Sequence, residues 1–164
     1  MTGNQPAASS NQFGGKVHML EGILRSLFGS PQAPRKPFND PVLGELKPEE
    51  DGWSVTVTRG ASSFGFTIGG EDQPDAALLA HARDILKDYE SFTQMVEDCI
   101  EAESRDYREN AKAEVARLEI DNIALFWPDR PHDGMIFFRG SDDDVGLWRC
   151  DYVARKPRGL GCDT

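Results

Sequence analysis

Between residues 78 and 99 the apolar side chains return at alternating intervals of four and three: Leu78, Ala82, Ile85, Tyr89, Phe92, Val96 and Cys99. Only a helix brings such positions onto one side, so the stretch predicts a helical seam. The preceding EDQPD supplies acidic residues and a proline, which suit the start of a helix. The seam stops at Glu103. A helix with a single seam has one face to bury, and a sheet face is the expected cover.

Short alternating runs flank the seam. Val42, Leu43 and Leu46 predict a short strand, and KPEEDG reads as a turn. WSVTVTR puts Trp53, Val55 and Val57 on one face and Ser54, Thr56 and Thr58 on the other. After GASS turns the chain, FGFTIGG places Phe64, Phe66 and Ile68 on one face. This is the pattern of a three-stranded meander with one wet face. Residues 101–114 are polar and read as the last helical turns and a connection. VARLEIDNIALFW predicts a strand with a bulge at Asp121–Asn122, where the alternation slips. MIFF and VGLWRCDYV predict two more strands, RKPRG a turn, and LGC a short last strand. The expected fold is α+β: three strands, a long helix, then three to four strands. The sheet is antiparallel with the helix across one face. Trp53, Trp127 and Trp148 fall on strands and are expected to be core or half-buried.

The first 16 residues are polar and rich in Gly, Ser and Asn, the composition of a disordered tail. Residues 17–37 combine a short amphipathic helix, VHMLEGILRSLFG, with the proline-rich linker SPQAPRKP. The α+β domain is expected over residues 38–164. A chain of 164 residues buries enough surface to need no disulfide or metal staple. The N-terminus has no apolar core of a secretory signal, and no run approaches the roughly 20 apolar residues of a membrane span. The three cysteines, Cys99, Cys150 and Cys162, are odd in number and have no Cys-x-x-Cys spacing. Reduced thiols in a cytoplasmic protein are the expectation.

Residues 131–150, PHDGMIFFRGSDDDVGLWRC, hold residue types that ligate metals. His132 and Asp133 belong to one turn of the meander, and Asp142, Asp143 and Asp144 to the next. Successive turns lie at opposite ends of a strand about 14–17 Å long, while metal–ligand bonds are about 2.0–2.5 Å. The two turns therefore cannot share an ion, and neither a metal nor a cofactor is expected. A turn at Lys156–Pro157 would set Cys150 nearly opposite Cys162. His81 falls off the apolar seam, and no Cys–His or Ser–His constellation emerges around the other histidines, His18 and His132. No glycine motif has nucleotide-loop spacing. No catalytic residue is assigned. The rival reading is a small hydrolase or ligand-binding domain with a pocket between helix and sheet.

Charge is the stronger signal. The chain has 28 acidic and 18 basic residues, a net charge of −10. Phosphate backbones and anionic membrane surfaces are poor partners for such a chain. Residues 71–110 hold twelve acidic and four basic residues, so the excess concentrates on the predicted helix. Its solvent face carries Asp84, Asp88, Glu90, Glu97, Asp98 and Glu101, the candidate residues for docking a basic protein.

FNDPVLGEL, a turn, WSVTV, a strand, a long helix and the ending LWRCDY…KPRGLGCD resemble a group of small bacterial domains of unknown function. Members of that group are often found near polymorphic toxin loci. The resemblance spans residues 38–164 and implies an immunity protein, an inhibitor that occludes a basic toxin or effector. It brings no catalytic residue.

Overall fold

A row of apolar side chains crosses the molecule from one strand to the next. Val55 lies opposite Phe66, Phe66 beside Ile123, Ile123 opposite Ile136, Ile136 opposite Cys150 and Cys150 opposite Leu160. Side chains alternate across a pleated strand, so one such row commits a whole face to the core. This is seen in a computed structural model that describes residues 34–140 and 147–163. Residues Arg35–Thr164 form one unit. The expected tail and amphipathic helix lie outside the described residues, as do Asp142, Asp143 and Asp144.

Among the described residues the sheet has eight strands, in sequence order. They are β1 Phe38–Asp40, β2 Gly44–Glu49, β3 Gly52–Arg59, β4 Ser62–Ile68, β5 Glu119–Leu125, β6 Gly134–Arg139, β7 Leu147–Val153 and β8 Lys156–Asp163. Each half is an antiparallel meander of four strands, and β4 and β5 join the halves as a parallel pair. A parallel pair needs a long crossover. Here it consists of α1 Ala76–Lys87, α2 Tyr89–Glu103, a 3-10 turn Ser104–Asp106 and α3 Glu109–Val115. The mixed α and β architecture matches the expectation; the strand count, the wholly antiparallel sheet and the single long helix do not.

The seam is divided at Asp88, whose backbone leaves the helical region with φ −120° and ψ 45°. An unbroken helix over these 28 residues would run about 42 Å, whereas a seven-residue strand spans about 23 Å. A straight rod of that length would be longer than any strand beneath it. The crossover uses two shorter helices instead, of 12 and 15 residues. The break keeps the four–three phase, so Leu78, Ala82, Ile85, Phe92 and Val96 all reach the core. Asp75 caps α1, its carboxylate accepting from the Ala77 and Leu78 amides at 2.9 and 3.1 Å.

Local turn chemistry accounts for the other differences. KPEEDG is only partly a turn, because β2 continues through Pro48 and Glu49. Phe38–Asp40 pairs with Gly44–Leu46 as an extra strand. Asp40 organises that hairpin: its buried carboxylate accepts from the Val42 and Leu43 amides and from Arg83 on α1. Burial alone would raise its pKa, but the Arg83 guanidinium and the two amides hold it below the usual carboxylate value. The β7–β8 turn falls at Ala154–Arg155, both at positive φ, and not at Lys156–Pro157. That shift puts Trp148 opposite Cys162 and Leu160 opposite Cys150, so the two cysteines do not face each other. The slip expected at Asp121–Asn122 is present as a register shift between Ile120 and Asn122.

The outer strands are poor templates for a further strand. β1 has only three residues. β8 carries Pro157, which has no amide hydrogen, and Gly159 at φ 61°, where its register with β7 shifts.

Candidate functional site

The six candidate carboxylates are all exposed, but the break at Asp88 sorts them into two groups. Asp84 lies on α1 and pairs with Arg155 at 3.2 Å across the β7–β8 turn. Asp88 sits at the junction and accepts from the Ser91 hydroxyl at 2.7 Å. Glu90, Glu97, Asp98 and Glu101 lie on α2. Spacings of seven and four align Glu90, Glu97 and Glu101 in one stripe of a helix. Asp98 lies beside that stripe and accepts from Gln94 at 3.0 Å. With Glu103, α2 carries five carboxylates and no Lys or Arg. None of the five enters an ion pair among the described residues. Structure thus brings four of the six candidates together on one helix and assigns the other two local work.

Three of the hollows among the described residues border this surface. One, of about 190 Å³, opens where β4 and β5 diverge beneath α2. Its walls are Val96, Ile100, Leu118, Ile120 and Phe138, with Glu97 and Arg139 also lining it. Arg139 is engaged with Glu119 and Asp121 at 3.3 and 3.2 Å. Another, of about 480 Å³, runs from Arg59 and Gly60 past Leu86–Glu90 to Thr93. The third, of about 100 Å³, lies on the other side of α2, among His81, Phe92, Met95 and Tyr152. A wider groove of about 920 Å³ occupies the opposite sheet face. Lys47, Ser54, Thr56, Gly65 and Asn122 line it. Asn122 donates to the Thr67 hydroxyl at 3.0 Å there.

His81 is the residue that the apolar seam misplaces. It is 2% exposed and belongs to the buried stripe of α1 with Leu78, Ala82 and Ile85. A signal for this exists in the sequence, since position 81 lies three after Leu78 and four before Ile85. Its ring meets His132 edge-on at 4.7 Å and stacks on Tyr152 at 5.7 Å. Neither ring nitrogen has a hydrogen-bond partner among the described residues. Burial first, then the neighbouring His132 and the Arg155 guanidinium, push its pKa down to about 4, against a pull from Asp84.

The sulfur atoms form a separate group. Cys99 of α2 is in hydrogen-bond contact with Cys150 of β7. Burial and the neighbouring thiol push Cys150 up to about 12, so it stays protonated at neutral pH and is a weak nucleophile. Trp53 and Trp148 are buried, and the Trp148 indole donates to Glu114 at 2.7 Å. Trp127 is half-buried beneath the Arg130 guanidinium, 4.8 Å from the ring centre. Among the described residues no three His, Cys, Asp or Glu side chains gather as a metal site, and no helix is long and apolar enough to cross a membrane.

Comparison of this chain with protein-family models, with curated proteins and with solved structures returns no match.

Proposed function

We propose that this is a non-enzymatic, acidic protein-binding domain that acts as an immunity-like inhibitor, covering the basic rim of a toxin or effector. One observation carries the reading: α2 presents five carboxylates, and among the described residues no cation answers them. Glu90 suits the first turn of the helix, but beyond it the fold gains little stability from such a stripe, because like charges three or four apart on a helix repel by about 0.2–0.5 kcal/mol per pair. A basic partner turns that repulsion into attraction and faster encounter. Inhibition then needs no chemistry, only a surface that occupies the rim of the partner's site.

The hydrolase or ligand-pocket reading finds less support. The hollow between α2 and the sheet, at about 190 Å³, is smaller than the roughly 300–1,000 Å³ of small-molecule sites. Its lining has serines and carboxylates but no histidine or cysteine.

The test uses the partner captured from the native host. Reversing Glu90, Glu97 and Glu101 together to Lys is expected to slow association at least tenfold and to flatten its salt dependence. The melting temperature should stay close to wild type. Asp84 and Asp88 are better left out of this variant, since each has a structural contact of its own. Unchanged affinity and salt dependence would reduce the stripe to a solvated face.

A further inference from the structure

His81 is an unusual residue to leave at the base of a surface hollow. Buried polar nitrogens are almost always hydrogen-bonded, because an unpaired one forfeits its hydration without return. Both nitrogens of His81 are unpaired among the described residues, and the side chain lines the hollow of about 100 Å³ between α1, α2 and the β7–β8 turn. The remaining walls are Ile85, Phe92, Met95 and Tyr152. Phe92 and Tyr152 meet edge to face at 5.7 Å. Asp84, Asp88 and Arg155 complete the lining. Arg155 is engaged by Asp84, which leaves the Asp88 carboxylate without a cation among the described residues. Met95 is 39% exposed and is one of the few large apolar side chains left toward solvent among the described residues.

These groups specify a ligand. A neutral imidazole offers a lone pair, Asp88 a negative charge, Phe92 and Tyr152 aromatic rings, and Met95 and Ile85 apolar contact for a short chain. An alkyl ammonium satisfies all of them: apolar methylenes, a charged tip with three donors, and affinity for ring faces. We propose that the hollow is the socket for a lysine side chain of the partner protein, with His81 and Asp88 holding the ammonium and Met95 and Phe92 holding the methylenes. The depressed pKa of His81 keeps its lone pair available at neutral pH. The volume suits an ammonium and its last methylenes, whereas a guanidinium is broader. The inference rests on the docking function above and adds the anchor: the acidic stripe of α2 steers, and the socket fixes register.

The experiment is an NMR titration of the isotope-labelled full chain with Nα-acetyl-lysine methylamide, and with Nα-acetyl-norleucine methylamide, which keeps the methylenes without the ammonium. The His81 ring resonances are expected to move with the lysine compound, saturating in the millimolar range, and not with norleucine. Asp88→Asn, which keeps an acceptor for Ser91, should weaken that response at least threefold, and His81→Phe should abolish the response of the Met95 and Phe92 signals. Ring signals that stay still, or move equally with norleucine, overturn the socket. If amides of Glu97–Glu101 still respond to the lysine compound in that case, the docking function survives without the socket. If neither region responds, both fall.

Discussion

A buried histidine with no hydrogen-bond partner makes a fold sensitive to acid. In the unfolded chain His81 titrates near 6.5, whereas in the fold it titrates at about 4. The folded value is the lower one, so the contribution to stability is complete above pH 6.5 and is lost as pH falls toward 4. A gap of that size corresponds to about 3 kcal/mol at 1.36 kcal/mol per unit. The charges that act on its titration are those of His132, Arg155 and Asp84, and of these only Asp84 favours the protonated form. His81→Phe should flatten the dependence of stability on pH across this window. It should also raise stability at pH 7 by roughly 1 kcal/mol, because an apolar ring leaves no nitrogen unpaired and the hollow takes up its extra volume. Urea unfolding at several pH values measures both; parallel curves for wild type and variant would show that His81 does not carry the acid response. The seam leaves His81 out because it is one narrow line of positions. The burial of α1 is wider, taking in Leu79, His81 and Leu86 as well. The carboxylates were legible because charge seldom survives burial. What each does was not, since the partners Arg155 and Ser91 come from tertiary contact and from the break at Asp88.

At the scale of elements, the apolar periodicity located α1, α2 and most strands but not α3, which lies in the polar stretch read as a connection, and topology decided the rest. The alternation in β3 and β4 reads directly as one buried face, and Trp53, Val55, Phe64 and Phe66 are buried there. The parallel contact of β4 with β5 left no such trace, because both strands carry the same alternation that an antiparallel neighbour would require. Strand β1 was missed because three residues hold no period, and because its hairpin is fastened by Asp40, a polar residue. The helix break was hidden by the seam itself, which keeps its phase through Asp88. The register of α2 can be checked at Phe92, which is 3% exposed and touches Tyr152. Phe92→Ala should cost about 3–5 kcal/mol, the usual loss for a packed core ring. A loss below about 1 kcal/mol in denaturant unfolding would turn this face of α2 toward water. The same substitution removes one wall of the proposed socket. A conservative Phe92→Leu is therefore the better choice for binding work.

Over the whole molecule, charge and stability oppose each other. Residues 71–110, which include most of the crossover, hold twelve acidic and four basic residues, while the opposite sheet face pairs ions locally, as Arg139 does with Glu119 and Asp121 and Arg149 with Asp163. Within α2, Glu97 and Glu101 are four residues apart and Asp98 and Glu101 three, so the helix carries like-charge pairs at both neighbouring spacings. Glu101 also stands near the C-terminus of α2, where the helix dipole favours a cation. Glu101→Lys converts each of these unfavourable contacts at once. It also leaves Glu97 four residues ahead of the new lysine, the favourable order for such a pair. The free protein should therefore gain roughly half a kcal/mol or more, seen as a higher melting temperature at low ionic strength. The gain should shrink as salt rises, because a Debye length of about 8 Å at physiological ionic strength screens exposed charges. Binding should move the other way: the partner would associate more slowly with the stabilised variant, and most clearly at low salt. A variant that is more stable and binds as well as wild type would mean that the unpaired carboxylates serve solubility alone. Opposite shifts in stability and association rate, both fading with salt, would identify the stripe as charge kept against the interest of the fold for a partner of the opposite sign.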